Sequence, residues 1–216
     1  MNGTGTIVTR SASSDDIQLF LADCRDLIPR LPKPDLVLTD PPYGMAYHPR
    51  RGGRGSMRWA DQLIVGDDQP FDPAHLLALG RCVLWGGNWY ADKLPASGGW
   101  LVWDKTPKGR KEGFHASDAE LAWTNCCSSV RKFSLQWGGQ ARNGEAFFHP
   151  TQKPVGLMRW ILEQFTSAGD LVLDPYMGSG PVAQACRELN RRYIGIEIAE
   201  NHFRATQARL AQLSFL

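Results

Sequence analysis

Short apolar runs alternate with amphipathic segments along most of this chain. The runs at residues 36–38, 171–173 and 193–196 are almost wholly apolar, which is typical of strands buried on both faces of a parallel sheet. Residues 155–166 have the spacing of an amphipathic helix, and residues 200–213 are predicted to form a closing helix. The alternation predicts an α/β fold, with a mostly parallel, twisted sheet and helices on both faces.

Weaker patterns complete the predicted order of elements. Further strands are predicted at residues 17–22, 81–85, 100–103, 120–123 and 130–135, and helices at 25–31, 73–80, 88–94 and 181–190. Residues 1–16 are small and polar, and we expect a flexible N-terminus there. The remainder, 17–216, is predicted to form a single domain with a flexible basic loop at 45–66.

Composition narrows the class of protein only a little. The chain has 216 residues, of which 43% are hydrophobic and 21% charged, as in an ordinary globular domain. A net charge of +2 is too small to indicate a nucleic-acid binder by itself. The five cysteines include no CxxC pair, which favours reduced thiols and a cytoplasmic setting, and we predict no metal site. No apolar run reaches membrane-spanning length.

One turn combines residue types that suit a planar ring carrying an amine. Residues 39–44 read Thr-Asp-Pro-Pro-Tyr-Gly and follow the first apolar run, at the strand end where α/β sheets place their chemistry. Ionised Asp40 only accepts hydrogen bonds, Pro41 and Pro42 make the turn rigid, and Tyr43 offers a flat face and a hydroxyl. Taken alone, such a turn is more often a strand-ending proline turn with a capping aspartate.

A second motif has the logic of a nucleotide-binding βαβ unit. The strand at 171–173 leads into Asp-Pro-Tyr-Met-Gly-Ser-Gly at 174–180, and the next strand ends at Glu197. The glycines permit close approach of a ligand, and Glu197 is placed to accept from ribose hydroxyls. Asp174 would repel a pyrophosphate but attract an ammonium or sulfonium, which favours S-adenosylmethionine over a nicotinamide cofactor. The alternative is an ordinary tight turn between strand and helix.

Together, and in this order, the two motifs resemble those of the DNA amino-methyltransferases, in the group whose catalytic half comes first. The resemblance covers residues 17–213 and implies a Rossmann-like, S-adenosylmethionine-dependent methyltransferase fold. It implies a catalytic half at 17–146 and a cofactor-binding half at 147–216. In this family the matching turn is catalytic, which implies that role for Asp40, Pro41, Pro42 and Tyr43.

The resemblance also implies a set of cofactor-binding residues. The segment 149–154 precedes the cofactor loop in the family, with Thr151 and Lys153 near the methionine end of the cofactor, and Asp23 with Cys24 near its adenine. The full set is Asp23, Cys24, Asp40, Thr151, Lys153, Asp174, Pro175, Tyr176, Met177, Gly178, Ser179, Gly180 and Glu197. Residues 118–124 also match, without an assigned role.

The sequence departs from the family pattern at two places. Pro181 stands where a hydroxyl residue usually follows the glycine loop; proline suits the first turn of a helix, and we expect cofactor binding to persist through the backbone. Only residues 125–148 are available as a target-recognition region. We therefore expect low sequence specificity, a short site, or help from a second subunit.

Two basic segments are candidates for contact with DNA. The loop between the first motif and Asp61 holds four arginines and no acid, and a second basic run follows residue 104. Arginine is suited to phosphate recognition, although a solvated flexible loop would have the same composition. The candidates are Arg50, Arg51, Arg54, Arg58, Lys105, Lys108 and Arg110.

These features predict a DNA methyltransferase that modifies adenine N6 of a flipped-out base, with S-adenosylmethionine as cofactor. Cytosine N4 is the first alternative, because both amines present the same geometry. RNA as substrate, a homodimer, and a non-catalytic nucleic-acid-binding subunit also stay open. No membrane partner is predicted.

Overall fold

A computed structural model describes residues 8–14, 16–46, 64–109, 117–137 and 152–212. Within these ranges the chain forms one nine-stranded sheet, in the order β1-β2-β9-β8-β3-β4-β6-β5-β7. The strands are β1 (Val8–Ser14), β2 (Ile17–Leu21), β3 (Leu36–Thr39), β4 (Cys82–Trp85), β5 (Trp100–Asp104), β6 (Ala119–Thr124), β7 (Arg131–Ser134), β8 (Leu171–Asp174) and β9 (Arg192–Glu197).

The centre of the sheet is parallel and draws strands from both ends of the sequence. β2 pairs with β9, β9 with β8, β8 with β3, and β3 with β4, all in parallel. β3 is buried along its whole length, as are β4 and β8, which matches their unbroken apolar sequences. β8 and β9 from the second half therefore lie between β2 and β3 from the first half, so the two predicted halves share one sheet.

Five helices accompany the sheet in the described residues. They are α1 (Cys24–Leu27), α2 (Ala74–Leu77), α3 (Val155–Phe165), α4 (Pro181–Glu188) and α5 (Glu200–Gln212), with 3-10 turns at Ile28–Arg30, Gly87–Trp89 and Ala91–Lys93. Buried side chains form two hydrophobic clusters, one of which includes the inner faces of α3, α4 and α5. The predicted α/β fold with a mostly parallel sheet is confirmed. None of these helices is long and apolar enough to cross a membrane.

Some elements differ from the sequence prediction. The expectation of a flexible N-terminus over 1–16 is wrong for Val8–Ser14, which pairs antiparallel with β2. A strand that satisfies the backbone of a sheet edge needs little apolar patterning, so its polar sequence gave no signal. The helix predicted at 73–80 is a single turn at Ala74–Leu77, and the one predicted at 88–94 consists of two 3-10 turns. Most of the predicted loop at 45–66 lies outside the described residues.

Candidate active site

Four neighbouring parallel strands end at the same edge of the sheet, and each is followed by a polar residue singled out in the sequence. Asp23 follows β2, Glu197 ends β9, Asp174 ends β8 and Asp40 follows β3. The two motifs are joined directly, because the Thr39 hydroxyl donates to Asp174 Oδ1 at 2.6 Å across 135 residues of sequence. Turns that are distant in the chain thus share one corner of the molecule.

Asp40 is held on both of its carboxylate oxygens. The Tyr43 hydroxyl donates to Oδ1 at 2.5 Å, and Lys153 Nζ donates to Oδ2 at 2.6 Å. The Asp40 side chain is nevertheless 29% exposed. Since each carboxylate oxygen carries two lone pairs, Asp40 can still accept hydrogen bonds from a ligand that enters this corner.

Lys153 is the buried centre of a charge network. Its ammonium also lies 3.0 Å from Glu120 Oε2, and Lys105 contacts the other oxygen of Glu120 at 2.7 Å. Burial alone would lower the pKa of Lys153, but the carboxylates of Asp40 and Glu120 outweigh it and raise that pKa. Burial would raise the pKa of Glu120, and the two ammonium groups lower it to about 2. Lys153 and Glu120 are therefore both charged at neutral pH.

The backbone of the turn is fixed by a single buried carboxylate. Asp67 Oδ1 accepts from the amides of Tyr43 and Gly44, both at 2.9 Å, and from that of Met45 at 3.4 Å. The Ala46 amide donates to the Asp67 carbonyl at 2.7 Å. Gly44 has φ +76°, and an added Cβ would lie 2.6 Å from the Gln69 carbonyl oxygen, so glycine is required here. Asp67 thus aims the turn that carries Asp40.

The ring of Tyr43 lies against the backbone that follows β4. A Cβ added to Gly86 would overlap this ring, and Gly86 has φ +71°. Burial, and then the charge of Asp40, raise the pKa of Tyr43 well above its ordinary value, so the hydroxyl stays a hydrogen-bond donor. The hydroxyl anticipated as a handle for a ligand is therefore bonded to Asp40 here.

Asp174 occupies a different environment from the one its place in the motif suggests. It is 2% exposed, and it accepts from the hydroxyls of Thr39 and Tyr193, the latter at 3.3 Å. Burial raises the pKa of Asp174 to about 7, against the effect of these hydrogen bonds. Asp174 therefore presents little accessible charge to a ligand, because the strand end that carries it is enclosed by side chains. Its observed contacts tie the two motifs together.

The glycine loop after Asp174 is held from behind by α5. The Thr206 hydroxyl donates to the Gly178 carbonyl at 2.9 Å, and Arg209 Nε donates to the Ser179 carbonyl at 2.7 Å. In a trans peptide the N–H points away from the preceding carbonyl, so the Ser179 amide faces away from α5. A Cβ on Gly178 would meet nothing within 4 Å. Space is therefore open on the Cβ side of Gly178, and a ligand that approached there would meet the loop through its backbone.

The remaining predicted cofactor residues line the same edge to different degrees. Glu197 accepts from the amides of Gly178 and Ala199, and Asp23 accepts from the Arg25 amide as the cap of α1. Tyr176 packs edge-on against Phe71 and His75 and bonds His75 through its hydroxyl. The side chains of Cys24, Pro175 and Met177 are buried, so a ligand would meet those three residues chiefly through their backbone.

The two lysines among the predicted DNA contacts differ in their exposure to solvent. Lys108 is exposed. Lys105 is less suited to the predicted contact with DNA, because its side chain is 11% exposed and its ammonium is paired with Glu120. Arg50, Arg51, Arg54, Arg58, Arg110 and Thr151 lie outside the described residues.

Four residues at the site were not predicted. Glu120 lies in the matched segment 118–124, which was the one available signal; Asp67, Thr206 and Arg209 belong to no motif. Their roles depend on contacts between elements that are far apart in the chain. Pro181 was interpreted correctly, since it forms the first turn of α4 after Gly180.

A parallel sheet with a glycine loop after one central strand and an Asp-Pro-Pro-Tyr turn after its neighbour defines the class of Rossmann-like methyltransferases. A family profile described as DNA methylase matches residues 100–208. The Escherichia coli K12 protein YubD, a methylase by name, is 31% identical over 195 residues, which span 82% of each chain. The chain therefore belongs to the DNA amino-methyltransferases, the N6/N4 DNA methylases.

Solved structures agree on the fold. The crystal structure of the M1.HpyAVI–SAM complex has a TM-score of 0.58 at 24% identity and covers 90% of this chain and 99% of that one. PvuII DNA methyltransferase, described as cytosine-N4-specific, has a TM-score of 0.56 at 14% identity, with 93% and 92% covered. Likeness at these identities shows the fold, and the sequence matches carry the family assignment.

Proposed function

We propose that this protein transfers a methyl group from S-adenosylmethionine to N6 of adenine in DNA. One observation carries the proposal: the Asp40 carboxylate and the glycine loop lie at the ends of adjacent parallel strands, joined by the Thr39–Asp174 hydrogen bond. An acceptor for amine hydrogens thus stands beside a loop suited to the cofactor. Residues 17–146 supply the former and residues 147–216 the latter.

S-adenosylmethionine supplies an electrophilic methyl group on a sulfonium centre. The Ser179 amide and Glu197 are the proposed contacts for its polar groups, with Asp23 and Tyr176 at the adenine side. Ser179 is 4% exposed overall, but its amide faces away from α5, as the tethered carbonyls require. The complex of M1.HpyAVI with SAM is consistent with this choice of cofactor.

Asp40 makes the exocyclic amine a better nucleophile. The lone pair of that nitrogen is delocalised into the ring, and holding its hydrogens on Asp40 and on the Pro41 carbonyl localises the pair toward the methyl donor. Asp40 is also placed to take up the released proton. Lys153 holds Oδ2 of Asp40 at 2.6 Å and Tyr43 holds Oδ1, so the substrate amine meets the remaining lone pairs of a carboxylate that is fixed in position.

Tyr43 is proposed to stack on the target base, which must leave the duplex to reach this corner. Its hydroxyl is bonded to Asp40 Oδ1, so an entering amine shares or takes that oxygen. Lys108 and the arginines at 50, 51, 54, 58 and 110 are the proposed phosphate contacts. The first four of these arginines follow the Asp40 turn in the sequence, and Lys108 and Arg110 follow β5.

Cytosine N4 is the second candidate. Its amine has the same two hydrogens, and PvuII DNA methyltransferase, which shares the fold, is described as cytosine-N4-specific. RNA is a third substrate class with the same chemistry. The identity of the methylated nucleoside distinguishes these candidates.

The test is methyl transfer from labelled S-adenosylmethionine to DNA of mixed sequence, followed by mass spectrometry of the nucleosides. We expect N6-methyladenine, and a fall of about a thousandfold or more for Asp40→Ala, while Asp92→Ala at an exposed turn retains activity. Calorimetry should show that both variants still bind the cofactor. A cofactor-bound protein that methylates no DNA would overturn the proposal, and N4-methylcytosine would select the second candidate.

A further inference from the structure

We propose that Glu120 is a positioning residue of this active site, which acts through Lys153 to hold Asp40 in place and to preserve its strength as an acceptor. The inference rests on the proposed function, because it assigns a role in the same methyl transfer. It also gives a purpose to the segment 118–124, whose match to the family came without one.

Three distant segments bring these groups together. Glu120 lies on β6, opposite Trp103 of β5, and β6 is paired with β4, whose other neighbour is β3. Lys153 lies just before α3. The ammonium of Lys153 thus bridges the end of β3 to β6, two strands away in the sheet.

The Lys153 ammonium has an acceptor for each of its three hydrogens. They are Asp40 Oδ2 at 2.6 Å, Glu120 Oε2 at 3.0 Å and the Tyr43 hydroxyl at 3.2 Å. The side chain is 5% exposed, so loss of a partner would leave the ammonium poorly solvated. Glu120 consequently fixes the place from which Lys153 holds Asp40.

The charges explain why this arrangement matters for reaction as well as for stability. A buried ammonium paired with Asp40 alone would neutralise that carboxylate and weaken its hydrogen bonds to an amine. Glu120 shares the positive charge of Lys153 with Asp40. Lys105 Nζ lies 2.7 Å from the other oxygen of Glu120 and stabilises that carboxylate in turn. The alternation of charges keeps Asp40 anionic in character while it remains fixed in position.

The same geometry gives a pH signature. The charged or titratable groups that face Lys153 are Asp40, Glu120 and Tyr43, with Lys105 and Tyr90 next to them. Replacing Glu120 with a neutral side chain removes one of the two carboxylates that oppose the effect of burial on Lys153. The pKa of Lys153 therefore falls, and activity declines at a lower alkaline pH than in the wild type.

The experiment compares wild type, Glu120→Gln, Glu120→Ala and the matched control Glu163→Gln, whose glutamate is exposed on α3. Glutamine keeps the shape and one acceptor but removes the charge. We expect kcat to fall about tenfold in Glu120→Gln, and further in Glu120→Ala, as geometry at the reacting centre is lost. The calorimetric Kd for S-adenosylmethionine should stay within about twofold, and Glu163→Gln should match wild type.

The pH profile of kcat decides between positioning and mere support of the fold. The inference is supported if Glu120→Gln is folded and the alkaline limb of its pH profile lies at lower pH than that of the wild type. The control Glu163→Gln should have the thermal stability and the alkaline limb of the wild type. Wild-type kcat and an unmoved alkaline limb in Glu120→Gln would overturn it while the proposed function stands. An inactive wild type that binds cofactor would overturn the proposed function instead. N4-methylcytosine as product would leave the role of Glu120 intact.

Discussion

The catalytic turn after β3 and the glycine loop after β8 lie side by side, yet the protein fixes them by different means. The turn is held by charged side chains: Asp67 on its backbone amides and Lys153 on Asp40. The loop is held through its carbonyls, by Thr206 and Arg209 of the helix that follows β9. In the proposed function the turn orients the acceptor Asp40, whereas the loop presents its backbone to the cofactor.

The contrast extends to two carboxylates that lie in these regions. Glu120, between two ammonium groups, has its pKa lowered to about 2, despite the burial that would raise it. Asp174, which is buried and bonded to hydroxyls, has its pKa raised to about 7. Glu120 thus keeps its charge down to low pH, whereas Asp174 takes up a proton close to neutrality.

Among the residues that fix the two regions in place, the largest effect is expected at Asp67. Asp67→Ala removes the acceptor for three successive amides of the catalytic turn, and we expect about a hundredfold loss of kcat/KM from the misplaced turn. Asp67→Asn keeps an oxygen acceptor and should lose far less, and exposed Asp68→Asn should behave as wild type. Equal activity of Asp67→Ala and wild type would show that the turn is fixed without this carboxylate.

Gly180→Ala addresses the other region. An added Cβ would lie 2.6 Å from Thr206 Cγ2 at a φ of +75°, so the loop must shift away from α5. We expect the Kd for S-adenosylmethionine to rise by a factor equivalent to about 2 kcal/mol. Gly178→Ala, at φ +53° but with open space around the Cβ, measures the backbone strain alone and should weaken binding less. Calorimetry on both variants makes the comparison, and equal losses would contradict a steric origin.

The two carboxylates predict stability changes in separate pH windows. Between about pH 4 and 7 the folded protein retains a proton on Asp174 that the unfolded chain has lost, so the contribution of Asp174 to stability decreases as pH rises through this window. Asp174→Asn should remove that decrease, worth about 1–4 kcal/mol. The contribution of Glu120 is present above about pH 4.5 and is lost as pH falls toward 2.

Urea unfolding of the wild type, Asp174→Asn, Glu120→Gln and Asp68→Asn at several pH values checks both statements. Asp174→Asn should change the slope of the unfolding free energy against pH only between about pH 4 and 7. Glu120→Gln should change that slope only below about pH 4.5. If the unfolding free energy of all four proteins had the same dependence on pH, the opposite pKa shifts of Asp174 and Glu120 would be refuted.

The smallest effect is expected at Thr206. Thr206→Val keeps the volume but removes the hydrogen bond to the Gly178 carbonyl at 2.9 Å, which should weaken cofactor binding by about 1 kcal/mol. Thr206→Ser retains the hydroxyl and should restore most of the affinity. Activity at saturating cofactor should be unaffected by either change, in contrast to Asp67→Ala.

Much of the fold and the two motifs was predictable because their signals are local. β3, β8 and β9 are runs of adjacent apolar residues, and Asp40–Tyr43 and residues 174–180 owe their character to prolines and glycines that fix the backbone where they stand. The parallel order then follows from strands alternating with helices. β1 was missed because an edge strand depends on its neighbour for hydrogen bonds and needs little apolar pattern of its own.

By itself, then, the sequence determined most of the strands and helices, the family that the motifs resemble, and the places of the Asp40 turn and the glycine loop after two central strands. Only the tertiary structure decided that Asp174 is enclosed, that Lys105 faces Glu120, and that Lys153, 113 residues from Asp40 in the chain, holds its carboxylate. The physical reason is that backbone preferences act between neighbours in sequence. Burial and charge pairing act between neighbours in space, and only the folded sheet defines those.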